Sequence, residues 1–144
     1  RCQKLLCSLY LDKSVFSYKG TNLLMKQHIN RFQANKEYFF VEGCYINELS
    51  NQPEDPELSI AQARVEPGVT TQWHKLKDTI ERYVILEGNA SVEIGDHAAQ
   101  KVNPGDVVII PANTRQRITN TGTKDLIFLA LCTPRFQADN YQSI

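Results

Sequence analysis

From Glu37 onward the chain has no stretch with the 3.6-residue period of a helix, and this narrows its possible folds more than any other feature. Short β-rich runs follow one another instead, at 38–41, 44–49, 60–65, 70–76, 82–87, 91–94, 100–102, 107–110, 116–120 and 126–132. Turn residues separate them, among them Pro67 with Gly68, Gly88 with Asn89, Gly95 with Asp96, Pro104 with Gly105, and Thr121 with Gly122. Nothing between the runs is long enough for a crossover helix, so parallel βαβ units are excluded. Many short strands at close spacing predict an all-β sandwich or barrel. Pro134 ends the last run, because proline cannot continue a central ladder. The segment after it, 137–144, reads as a loose tail.

At 144 residues the chain suits one domain with a sizeable core. Hydrophobic residues make up 42% and charged residues 22%, which excludes a disordered or fibrous chain. No apolar run approaches the roughly 20 residues of a membrane-spanning helix, so no membrane is expected. Sixteen basic and sixteen acidic residues cancel, leaving no general electrostatic reason to bind nucleic acid.

That cancellation joins two unlike segments. Residues 1–31 hold six basic residues and one acid, a net of +5; residues 32–144 hold ten basic and fifteen acidic residues, a net of −5. The first segment is read as a basic N-terminal extension and the second as the folded domain. Three readings of the extension stay open: an arm packing on the domain, a stretch upstream of a natural start at Met25, and a processed targeting segment. The last is disfavoured, because Leu5, Leu6 and Leu9 are too few and too interrupted for a secretory core. Cys44 and Cys132 sit in apolar text and read as small buried hydrophobes. With no CxxC pair and no secretory signal, a cytoplasmic location without disulfides is expected.

Two stretches carry a pattern of their own. Gly68 is followed by five residues and His74, with Leu76 two positions on. Glu81 comes after four more residues and Gly88 after a further six. Downstream, Gly105 is followed by five residues and Pro111, then Asn113, Gln116 and Asn120. These stretches resemble the two paired motifs of the cupin superfamily. Leu76 stands where the first motif has its second His. In the second motif Asn113 replaces a Gly and Gln116 replaces a His. The runs Glu81 to Gly88 and Pro104 to Pro111 are similar to those of small single-domain cupins. The resemblance implies a double-stranded β-helix, a jelly-roll barrel, with a ligand or metal site inside its mouth. It also implies a homodimer, since cupins often dimerise.

Strand alternation supplies an independent reading of that site. On an extended 70–76 strand, Gln72, His74 and Leu76 share one face and Trp73 points outward. Glu81 and Tyr83 share a face on the next strand, and Gln116 and Asn120 share one on a later strand. Gln72, His74, Glu81, Tyr83 and Gln116 are therefore expected to converge on one cavity and bind the ligand.

A typical cupin metal centre has three His and one Glu, a set that suits Fe, Mn, Ni or Zn. The motifs here offer one His. If a divalent transition metal is bound, its ligands are expected to be His74, Glu81 and Gln116. Otherwise these three form a buried hydrogen-bond network. His97 falls in a turn and His28 lies outside both motifs. Arg82, Arg115 and Arg117 flank inward positions and are expected on the outer surface; Arg115 is also weighed as an oxyanion ligand at the rim.

Two functions follow. The first is a cupin that binds a small polar molecule, sugar or organic acid in type, in its barrel cavity without redox chemistry. The alternative is a metal-dependent or acid/base enzyme of the cupin isomerase or dioxygenase type, with His74 and Glu81 as the catalytic pair.

Overall fold

Along Ile80–Glu87 the side chains of Glu81, Tyr83 and Ile85 are buried, while Arg82 and Val84 between them are partly exposed. That alternation is what a strand covering a core with one face requires. The computed structural model describes residues 26–144. Within them eleven strands form two sheets, and every pairing is antiparallel.

The strands are β1 Tyr38–Phe40, β2 Cys44–Ser50, β3 Ser59–Val65, β4 His74–Leu76, β5 Ile80–Glu87, β6 Ala90–Ile94, β7 Gln100–Val102, β8 Val107–Ile110, β9 Gln116–Asn120, β10 Leu126–Thr133 and β11 Tyr141–Ser143. One sheet has the order β1-β2-β3-β10-β5-β8, the other β11-β4-β9-β6-β7. Non-sequential neighbours such as β10 between β3 and β5 give the wrapped topology of a jelly-roll barrel. Beyond the strands the described residues form two single 3₁₀ turns, Ala34–Lys36 and Ala138–Asn140. No described helix is long and apolar enough to cross a membrane.

The sheets close over Val65, Ile85, Val92, Val108, Ile110, Ile118, Leu126 and Phe128, all buried in one cluster. Each such side chain contributes about 1.5–3 kcal/mol by leaving water. Asn120, which closes the second motif, is structural. Its side-chain N–H groups donate to Val65 O and Lys124 O, both at 2.8 Å, and its Oδ1 accepts from Gly122 N at 2.9 Å. It thus ties the β9–β10 turn to β3. Asn113 stands at φ +63°, a left-handed conformation that asparagine tolerates far better than most residues. This explains how it can take the place of the motif's glycine.

Two expectations need correction. The 70–76 run is not one strand. Only His74–Leu76 is regular, and Thr70 makes an isolated bridge to Thr119. Between them the backbone leaves the β9 ladder: Thr71 N donates to Ile118 O, but Gln72 N donates to Glu42 O at 2.7 Å. The tail is not loose either. β11 pairs with β4 through Tyr141 to Leu76, Gln142 to Lys75 and Ser143 to His74. Ile144 N bonds Trp73 O at 3.1 Å, and Asn140 O accepts from Lys77 N at 2.8 Å. The reason is that β4 meets β9 at the His74–Gln116 position alone, which leaves its other edge unpaired until the tail covers it. Of the basic extension, residues 26–31 are described and exposed; the readings placed on 1–25 lie outside the described residues.

Gly88 offers a direct test of the packing. It sits at φ +86°, and a Cβ there would lie 2.9 Å from both Asp125 O and Leu126 Cα. Gly105 is at φ +95° with open space around it. Gly88→Ala is expected to cost about 3 kcal/mol and Gly105→Ala about 1 kcal/mol, read by urea unfolding. Equal losses would show that backbone conformation alone, not the contact with β10, sets the requirement.

Candidate functional site

The open end of the barrel between the two sheets holds a cavity of about 60 Å³. This is well above the roughly 10–15 Å³ that a single water requires. Its polar wall includes Glu42, His74 and Glu81; its apolar wall includes Phe40, Phe136, Tyr141 and Leu76.

His74 and Glu81 reach this cavity as expected, from β4 and from β5. Gln116 stands behind Glu81, fully buried, and donates from Nε2 to Glu81 Oε2. Its Oε1 is buried and has no hydrogen-bond partner among the described residues. Tyr83 does face inward, but it packs on Phe128 at 4.4 Å between ring centroids and belongs to the core cluster below the cavity. Gln72 does not join the group. Its side chain is exposed and Thr71 is buried in its stead, because the backbone turns toward Glu42 at this point and breaks the alternation.

Two residues complete the site without belonging to either motif. Glu42, in the turn between β1 and β2, places Oε2 3.3 Å from His74 Nε2 and is largely buried, its side chain 12% exposed. Tyr141 of β11 stacks on the His74 ring, with centroids 5.3 Å apart and planes 23° from parallel. Phe40 meets Tyr141 edge-on at 5.2 Å. One signal for Glu42 was present in the sequence: it is a lone acid in an otherwise apolar or glycine run from Tyr38 to Ile46. Nothing in the spacing pointed to Tyr141.

Burial dominates the electrostatics. It pushes the Glu81 carboxyl up to about 7, with the Glu42 charge adding to the rise and His74 opposing it. It likewise pushes Glu42 up to about 7, against a lowering by the Cys44 thiol. Cys44 donates to Glu42 Oε1 at 3.1 Å, and Cys132 sits 3.9 Å from Glu81 Oε1. Burial and these acids hold both thiols far above the ordinary thiol range, which makes them poor nucleophiles.

The arginines lie elsewhere. Arg117 pairs with Glu93 and Arg115 with Asp96, and both guanidinium groups cover the Trp73 ring, at 4.5 and 4.7 Å from its centroid. Arg82 donates to Thr133 Oγ1 at 2.8 Å. None of the three lines the cavity. His28 and His97 are exposed.

Residues 61–132 match the model of the Cupin domain family, and the chain belongs to that family. An uncharacterized protein of Methanocaldococcus jannaschii, MJ1618, is 30% identical over 120 residues, covering 82% of this chain and 95% of the relative. Among solved structures, KdgF from Halomonas sp. superposes with a TM-score of 0.61 at 17% identity, over 69% of this chain and 88% of that one. Streptomyces PAC13, solved with uridine, gives 0.66 at 15% identity over 83% and 92%. At such identities the likeness is one of fold.

Cupins often bind metals, and the donors here can be tested against that chemistry. Nε2 of the single imidazole faces Glu42, an amide N–H rather than a lone pair meets Glu81 Oε2, and Leu76 puts an alkyl group at a ligand position. Among the described residues no three His, Cys, Asp or Glu side chains converge as a metal-binding group. The residues do not fit a three-His, one-Glu centre.

The buried carboxylates make stability depend on pH. Both have folded values near 7 against an ordinary 4.5, so the folded state holds more protons than the unfolded chain between those values. Their contribution is whole below about 4.5 and is lost as pH rises through about 7, at most about 3 kcal/mol for each group. Urea unfolding of the wild type should show a fall from pH 5 to pH 8 that Glu81→Gln makes shallower. An identical slope in the variant would mean that Glu81 ionises at no cost.

Proposed function

We propose that this cupin binds the end of a small, uncharged, hydroxylated molecule of sugar type in its barrel cavity. The observation that carries this is the make-up of the wall: among the described residues Glu42, Glu48 and Glu81 line it, and no Lys or Arg does. Above about pH 7 an organic anion would enter against two or three carboxylates with only His74 beside them. A neutral polyol or carbonyl compound has no such cost. It can accept a hydrogen bond from a carboxyl group and rest its C–H face on Phe40 and Tyr141.

The acid/base reading has its own support. Two carboxyl groups held near neutrality in a cleft are placed to give and take protons at working pH. PAC13, a fold relative, is described as a nucleoside dehydratase, so the barrel is compatible with chemistry on a hydroxylated substrate. In this reading Glu81 and His74 act on the bound molecule without a metal.

Titration of ¹⁵N-labelled protein with D-xylose, D-glucose, glycerol, oxalate and succinate tests the first reading. Amide shifts around Glu42, His74 and Tyr141 are expected to respond to a neutral compound and not to the dianions at pH 8. Because the carboxyl donors are lost above about 7, that response should weaken several-fold between pH 6 and pH 8.5. Stronger binding of oxalate or succinate at pH 8 would overturn it.

A further inference from the structure

The hydrogen bonds of His74 determine more than its position. Nδ1 lies 2.9 Å from Gln72 O, a carbonyl oxygen that can only accept. Nδ1 must therefore carry a hydrogen. In a neutral ring Nε2 then presents a lone pair, and it faces Glu42 Oε2 at 3.3 Å. A lone pair against a carboxylate oxygen is repulsive in this buried setting. The contact is favourable only with a proton between the two atoms, either on Glu42 as a carboxyl O–H or on Nε2 as half of an ion pair.

The surroundings favour keeping that proton in the contact. Burial disfavours a free negative charge on Glu42, and the groups around it compensate that charge only in part. Glu81 of β5 is a second acid whose charge couples to it. Tyr141 of β11 covers the His74 ring. Cys44 offers Glu42 Oε1 one weak thiol donor. Among the described residues the cavity wall holds no Lys or Arg to compensate either carboxylate.

We propose that Glu42, supplied by the β1–β2 turn outside both motifs, is the acid–base partner of His74. The two hold one proton between them at the place where a metal centre would otherwise stand. Glu81 is a different kind of group. Its Oε2 is held by Gln116 and its Oε1 lies by Cys132, so it is braced from behind and acts as a neighbour of the pair. The shared proton is what the site offers to a ligand oxygen, as a hydrogen bond that needs no metal and no redox partner. In this use it rests on the neutral-ligand reading above.

The test reads the ring directly and needs no ligand. Long-range ¹H–¹⁵N spectra of histidine-labelled protein are recorded from pH 6 to pH 8 for the wild type, Glu42→Gln, Glu42→Asp and Glu81→Gln. Amide spectra confirm that each variant is folded. His74 Nδ1 is expected to be protonated throughout in the wild type, with Nε2 shifted between the acceptor and protonated positions. Glu42→Gln and Glu42→Asp should move Nε2 toward the pure acceptor position; Glu81→Gln should leave it in place. The proposal is overturned if Nε2 is a pure acceptor in the wild type, which requires no variant. It is also overturned if Nε2 follows Glu81→Gln instead, or if one equivalent of Zn²⁺ or Mn²⁺ alone binds and displaces the proton. A shared proton without response to any neutral compound would count against the ligand reading and leave the pair standing. Binding without a shared proton would do the reverse.

Discussion

Keeping carboxyl groups inside a barrel is the constraint around which the rest of this structure is arranged. A carboxylate taken out of water costs several kcal/mol unless it is paired or takes up a proton. Glu42 and Glu81 meet that cost in different ways. Glu81 accepts from the Gln116 amide and has Cys132 beside it; Glu42 has the Cys44 thiol and the His74 ring. Each acid is thus served by one cysteine and one nitrogen-bearing partner, and burial still leaves both near neutrality. That near-neutral state is the property on which ligand choice and proton chemistry both turn.

The aromatic groups around the mouth follow from the same constraint. Tyr141 stacks on His74, and Phe40 sits edge-on to Tyr141, so aromatic rings flank the acids in the cavity wall. This in turn depends on β11, whose pairing with the otherwise open edge of β4 brings Tyr141 over the imidazole. The basic side chains of this region are held on the outer face, with Arg115 and Arg117 around Trp73. The barrel therefore separates its charges: arginines outside against Asp96 and Glu93, acids inside with one imidazole.

Leu76 illustrates how one motif position changes the chemistry of such a site. Its buried alkyl group removes a ligand and lines the cavity with hydrocarbon. Gln116 brings an amide whose N–H meets Glu81, where an imidazole would present a lone pair to a metal. Together the two replacements turn a set of electron-pair donors into a hydrogen-bonded network.

The strand ladder, the inward faces of β5 and β9 and the placement of His74 and Glu81 were legible in the residue pattern. These features are local. Alternation decides which side chains of a regular strand share a face, and motif spacing decides which ends of the strands meet. Glu42, Tyr141 and the outward turn of Gln72 were decided only by the tertiary structure. Glu42 enters because Gln72 N bonds its carbonyl across the sheets, and that same bond breaks the alternation that had placed Gln72 inside. Tyr141 enters because an unpaired edge elsewhere in the chain needed a strand. Contacts of this kind join segments about 30 to 70 residues apart, and no spacing within either segment encodes them.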